Sequence, residues 1–191
     1  RKAERDGLKL NFEHCDIPQL VDKTYRRFLP LIREKNIDAT LSVCDAGLMA
    51  YVDQECFTKI ISNLLGNAVK YCASRISILI ESAPDNTFSV IISNDGNIIS
   101  KNLRSRIFEP FFRVENHQQT AQTGTGIGLA LARNLAELHK GTLTMDEDGH
   151  LNVFRLTLPL NQTDYIPLSA ESGLTNMDEA EPRKSGRPLL L

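Results

Sequence analysis

The chain carries no excess of positive charge. Its formal net charge over 191 residues is -2, which leaves no basic field to draw it to nucleic acid. It has no apolar run of membrane-spanning length and no signal-peptide pattern. Its four cysteines, Cys15, Cys44, Cys56 and Cys72, form no C-x-x-C pair, and none stands at zinc-ligand spacing from a histidine. Each lies in or beside an apolar stretch, so they read as reduced, mostly buried thiols in a cytosolic setting. The glycine run Gly124-Thr125-Gly126-Ile127-Gly128 lacks the following lysine of a Walker loop, because Leu129-Ala130 stands there. Nor does a strand precede it: Glu115–Gln122 is polar throughout, which excludes a dinucleotide fingerprint.

What is present is an ordinary globular composition, 41% hydrophobic and 24% charged. The glycine run opens directly into an apolar-periodic segment reaching Lys140. Closely spaced glycines let backbone approach a ligand, and a helix start offers unpaired N–H groups to phosphate. The polar segment before it suggests a mobile lid.

Along the chain, Leu8, Leu10 and Phe12 alternate as in a strand, and Asp16 is placed to cap a helix carrying Leu20, Phe28, Leu31 and Ile32. Leu41 and Val43 mark a second strand. Asp53 is placed to cap a helix carrying Phe57, Ile60, Ile61, Leu64, Leu65, Ala68 and Val69. Strands are expected around 76–80 and 88–93, joined across Pro84-Asp85-Asn86, then a helical turn near 102–107. The glycine-run helix should stop at Gly141 as its C′ residue, before a hairpin turning at Asp148-Gly149. The order β-α-β-α-β-β-α-β-β implies a two-layer α/β sandwich with its helices on one face. After Leu160 the composition turns to Ser, Glu, Asp, Pro and Gly, which reads as a flexible linker over 161–187.

Three features hold polar residues where apolar ones are expected. Asn63, Asn67 and Lys70 share one face of the second long helix at i, i+4 and i+7. They are either asparagines bonded to nearby backbone or a row of oxygen ligands and a cation facing phosphates and magnesium. Asn94 falls on the apolar face of its strand, where a single polar group could hold a planar base; a plain Asn-Asp-Gly turn is the alternative. Ile107-Phe108-Glu109-Pro110-Phe111-Phe112-Arg113 is an apolar knot beside the lid, with Arg113 in reach of a phosphate or simply solvated.

Taken in this order, the segments 63–71, 94–96, 107–113 and 124–129 resemble the ATP-binding catalytic domain of sensor histidine kinases, within the superfamily shared with gyrase and MutL. The resemblance covers about residues 8 to 160. It implies a Bergerat-type ATP-binding fold, a mixed, mostly antiparallel sheet with helices packed on one face. It also implies ATP and Mg2+ as cofactors. Asn67 would ligate magnesium, Asn63, Lys70 and Arg113 would contact phosphates, and Tyr71 would line the pocket. Asn67, Lys70 and Arg113 would be the groups acting at the transferring phosphoryl. Gly124, Thr125, Gly126, Ile127, Gly128 and Leu129 would shape the lid end and phosphate loop. Asn94 and Gly96 would form the base end. There the chain departs from the family, which usually has an aspartate at the position of Asn94 and a glycine at that of Ile98. An asparagine oxygen can still accept from an adenine amine.

By the same resemblance, the γ-phosphoryl group goes to a histidine on a dimerisation hairpin upstream of Arg1, with 1–7 as its end or linker. His14, His117, His139 and His150 are poor phosphoacceptors, at a strand end, in the lid, at a helix end and in a turn. Residues 188–191 resemble the start of a receiver domain, which implies a hybrid kinase in a phosphorelay. The fragment is expected to be a monomeric cytoplasmic domain that does not bind nucleic acid, from a homodimer in the bacterial inner membrane. The rivals are a nucleotide-binding signalling module without transfer activity, a superfamily ATPase or protein-serine kinase, and a plain interaction domain.

Overall fold

In a computed structural model, residues 10–114, 125–146 and 148–162 are described. The expected hairpin end at 1–7, residues 163–191, His117 and Gly124 lie outside them. Seven strands and four α-helices follow in the order β1 (Phe12–Asp16), α1 (Ile17–Arg26), α2 (Leu29–Glu34), β2 (Asp38–Val43), β3 (Met49–Asp53), α3 (Gln54–Tyr71), β4 (Arg75–Ala83), β5 (Thr87–Asn94), α4 (Gly128–Leu138), β6 (Thr142–Asp146) and β7 (Asn152–Pro159). Two short 3-10 turns, Lys101–Leu103 and Arg106–Phe108, stand where one helical turn is expected.

Strands β2-β4-β5-β7-β6 form a mixed sheet, antiparallel except for the β2–β4 pair, while β1 and β3 form a separate antiparallel pair. The expected sandwich is present: α1, α3 and α4 pack together, and α3 and α4 lie against the sheet. Phe57, Ile60, Ile61, Leu64 and Leu65 from α3 meet Ile76, Ile78, Ile80, Phe88, Val90 and Ile92 from the sheet, all essentially solvent-free. Their removal from water is the main favourable term holding the layers together.

The sheet's other face is closed differently. Ser89, Ile91 and Ser93 are buried there as well. Arg155, opposite Ile91 on β7, bonds Asp146 at 2.7 Å and Glu81 at 3.3 Å. One guanidinium thus ties β7 to β6 and to β4 across the intervening β5.

Both expected caps form. The Asp16 carboxylate accepts from Gln19 N–H at 2.9 Å, and that of Asp53 accepts from Cys56 N–H at 2.9 Å. Four local expectations need correction. The first helix is two, because Pro30 supplies no N–H and sits in the first turn of α2 instead. β1 begins at Phe12, so Leu10 stands before the strand expected to include it, while Leu8 lies outside the described residues. β3 has no counterpart in the expected order; its Ala50 and Val52 face the core. The α4 C-terminus is a Schellman motif in which Lys140, at φ 59, takes the left-handed position, while Gly141 N–H bonds Ala136 O. Gly141 is needed for space, since a Cβ there would run into Leu158 and the Thr157 carbonyl. Of the thiols, Cys15 and Cys56 are buried, Cys72 is half-buried and Cys44 is exposed.

Candidate functional site

Asn63, Asn67 and Lys70 all lie half-exposed along α3, as their spacing predicts. Asn63 Nδ2 donates to Lys59 O at 2.9 Å, which leaves its Oδ1 facing away from its own helix. That oxygen meets the glycine run: a Cβ placed on Gly128 would lie 2.7 Å from Asn63 Oδ1. Only glycine lets the start of α4 come so close to α3. The Asn67 amide, one turn further on the same face, makes no hydrogen bond among the described residues. Lys70 Nζ lies 4.8 Å from the centre of the half-exposed Tyr71 ring.

The glycine run is pinned from its other side by the phenylalanine knot. Phe111 N–H donates to Gly126 O at 2.9 Å. Gly126 has φ +70, and a Cβ there would stand 2.9 Å from the Phe111 carbonyl carbon. Phe111 itself adopts φ 66, a cost that a bulky L-residue bears only where its surroundings impose it. Two arginines lie over the knot, Arg106 above Phe112 at 4.4 Å and Arg133 above Phe108 at 5.3 Å. Arg113 is exposed just beyond it. Thr125 and Ile127 are exposed and Leu129 is half-buried. Ile127 precedes α4 with no side-chain cap on its first-turn N–H groups, so these remain open to an anion.

The far end of α3 meets the end of β5. Gly96 lies so close to the Tyr71 carbonyl that a Cβ could not fit, with Asn94 Oδ1 3.0 Å from the same point. Asn94 is 3% exposed. Its Oδ1 accepts from Gly96 N–H at 3.1 Å and from Asn152 Nδ2 at 3.4 Å, so both lone pairs of the oxygen expected to meet an adenine amine are engaged by protein. Asp95 points elsewhere, as strand alternation predicts. It accepts from Ala73, Ser74 and Arg75 N–H and from the Ser74 hydroxyl. Desolvation would raise its carboxyl, but these donors outweigh it and hold the group far below the usual carboxylate range.

The two meeting points, Gly128 on Asn63 and Gly96 on Tyr71, are eight residues apart on α3, about 12 Å at helical rise. Between them run Asn67 and Lys70. Two separated segments, the start of α4 and the end of β5, thus meet one strip of α3 at its two ends. A groove of about 680 Å³ also runs along α3. Asn63 is the one residue of that strip lining it, and the rest of its wall is Asn11, Glu13, Arg27, Asp53, Lys59 and neighbours. It follows the N-terminal half of the helix, away from Asn67 and Lys70.

Two residues that sequence reading missed, Asn152 and Gln162, support this arrangement, together with His139, which sequence reading places only at a helix end. Asn152 orients Asn94 from across the sheet. His139, fully buried, accepts Asp53 N–H on Nε2 at 3.1 Å, and its Nδ1 lies 2.7 Å from Leu135 O. Burial therefore depresses its basicity and keeps the ring neutral. Gln162 donates to His139 O at 3.1 Å. The contacts to Asn94, to Asp53 and from Gln162 to His139 each span more than twenty residues, so no local pattern announces them. His14 stacks near Tyr51 at 4.9 Å and His150 lies in the β6–β7 turn, both structural positions.

A family model described as histidine kinase-, DNA gyrase B-, and HSP90-like ATPase matches residues 52–162. Sensor protein VanSC of Enterococcus gallinarum is 29% identical over 80% of this chain and 42% of its own length. Sensor histidine kinase TmoS of Ectopseudomonas mendocina is 33% identical over 95% of this chain and 19% of its own length. The chain thus spans less than half of either relative. Among solved structures, the nucleotide-free catalytic domain of histidine kinase ThkA superimposes with a TM-score of 0.71 at 26% identity, over 80% of this chain and 97% of that one.

Proposed function

The chain belongs to the histidine kinase-, DNA gyrase B-, and HSP90-like ATPase family as an ATP-binding catalytic domain of the histidine kinase kind, and we propose that in its full-length protein it donates the γ-phosphoryl group of Mg-ATP to a histidine on a dimerisation hairpin. The observation carrying this reading is the seating of Gly128 on Asn63, which brings the open N-terminus of α4 beside the polar face of α3.

In this reading the α4 amides, Asn63, Lys70 and Arg113 bind and orient the phosphates. Thr125, Gly126, Ile127 and Leu129 shape the turn, Gly124, outside the described residues, is assigned to the same phosphate loop, and Tyr71, Asn94 and Gly96 border the base. Asn67 supplies an amide oxygen to magnesium. A single neutral donor fits an ion held mainly by nucleotide oxygens and water. Among the described residues no cluster of three or more His, Cys, Asp or Glu offers an all-protein cage. When bound, magnesium would neutralise charge on the phosphate oxygens. Phosphoryl transfer needs positioning and charge neutralisation more than covalent chemistry from the protein. An N–P bond to the acceptor imidazole forms as the P–O bond to ADP breaks.

The hairpin upstream of residue 8, a linker that begins after the packed Gln162 rather than at 161 and runs to 187, a receiver beginning at 188 and a response regulator complete the proposed relay. The domain is proposed to be cytoplasmic, monomeric alone and part of a membrane-anchored homodimer. No helix among the described residues is long and apolar enough to cross a membrane.

Calorimetry with a non-hydrolysable ATP analogue tests the cleft. Magnesium should tighten binding to the native chain, and Asn67→Ala should lose about tenfold of the metal-dependent affinity. Equal affinity of the two proteins in magnesium would remove Asn67 from the site. Labelled ATP should leave acid-labile label on an added hairpin and none on this chain alone.

A further inference from the structure

Two amides at the end of β5 are oriented by backbone groups whose donor and acceptor roles cannot be exchanged. Ile99 N–H donates to Asn152 Oδ1 at 2.9 Å, and Asn152 Nδ2 donates to Asn97 O at 3.0 Å. Asn152 therefore turns its NH2 group towards Asn94, whose Oδ1 also takes Gly96 N–H. The consequence falls on Asn94 Nδ2. It carries two N–H donors, has no hydrogen-bond partner among the described residues and keeps contact with solvent although the residue is 97% buried.

The turn by itself does not call for an amide. Both groups facing Oδ1 are donors, so a carboxylate would serve them at least as well. What distinguishes asparagine from aspartate here is the NH2 group, a hydrogen-bond donor where aspartate would present a second acceptor. The amide that carries it, through its Oδ1, stands beside Gly96 where that glycine meets the Tyr71 carbonyl, at the opposite end of the α3 strip from the glycine run.

We propose that Asn94 makes the base end of the cleft a donor site, so that the chain accepts triphosphates of 6-oxopurines at least as well as those of 6-aminopurines. This rests on the nucleotide-cleft reading above. A 6-amino group meets Asn94 Nδ2 donor to donor, whereas a 6-oxo group accepts from it. A buried polar group matched to one edge discriminates against the edge that leaves it unpaired.

The test is equilibrium binding of non-hydrolysable ATP, ITP and 6-unsubstituted purine riboside triphosphate analogues in magnesium, to the native chain and to Asn94→Asp. The native chain should bind the 6-oxo ligand at least as tightly as the 6-amino one. Asn94→Asp should move the ratio of the two affinities about tenfold towards the amino ligand. A shift under threefold, or in the opposite direction, overturns the assignment. Should the variant fail to fold by thermal melting, the native chain decides alone: a preference for the 6-amino ligand beyond the error of the measurement overturns it, and equal or tighter binding of the 6-oxo ligand supports it. If no triphosphate binds the native chain, the cleft reading itself fails, and this assignment falls with it. Binding with the wrong base order overturns the assignment and leaves the cleft standing.

Discussion

Two helix N-termini in this molecule are finished in opposite ways. At α3, the Asp53 carboxylate closes the first turn, accepting from Cys56 N–H and also from Asn11 N–H at 2.8 Å. At α4, Ile127 provides no side-chain cap, and the residues before it are glycine or exposed. The first end is a joint: Asp53 terminates β3, caps α3, pairs with Phe12 of β1, holds Asn11 just before that strand and donates its own N–H to His139. The second end is a socket, whose donors are kept for something other than the chain. A helix start satisfied internally serves stability, and one without a side-chain cap leaves donors that the proposed function assigns to the triphosphate.

The contrast breaks most visibly at the joint. Asp53→Ala should lower unfolding free energy by about 2 kcal/mol, the upper range for a lost cap, in a chemical denaturation curve. The folded variant should still bind an ATP analogue within about twofold of native. A matching loss of affinity would mean that the two ends are not separate in function. At the socket the expectation reverses. Ile127→Asp places negative charge where the α4 dipole is positive, and should weaken triphosphate binding about tenfold, ~1.4 kcal/mol, with Tm unchanged or slightly higher. Unchanged affinity would show that the phosphates lie elsewhere.

The smallest effect concerns His139, which links the joint to the end of α4. Burial lowers its folded-state basicity, so the unfolded chain takes up a proton first as pH falls through about 6.5. Stability from this source is full above that pH and is lost below it, down to the depressed folded value. Native Tm should therefore fall more steeply than that of His139→Gln between pH 7.5 and 5.5. Parallel curves would show that the ring titrates alike in both states.

Features carried by neighbours in sequence were legible, and features carried by distant partners were not. Asp16 and Asp53 announce themselves because a cap acts three residues ahead. The face shared by Asn63, Asn67 and Lys70 follows from helical period alone. β3 escaped because Met49–Asp53 is short and its partner β1 lies beyond an intervening pair of helices. The helix expected through Phe28 failed at Pro30, where the missing N–H outweighed an apolar spacing that continued across it. The Asn94 oxygen was expected to serve a base; the bond it takes from Gly96 is local, but the one from Asn152 depends on a residue 58 positions away. The Arg155 tie over β5 was unreadable for the same reason.

The opposed helix ends also give the cleft a direction. The start of α4 sets partial positive charge at one extremity, while the closing carbonyls of α3, with that of Tyr71 against Gly96, set partial negative charge at the other. A molecule with an anionic head and a neutral tail experiences a torque in such a field, and its reversed orientation places anion against carbonyl. In the proposed cleft the backbone would therefore favour one docking polarity over the other. Added salt should blunt that sorting most at the exposed, positive extremity.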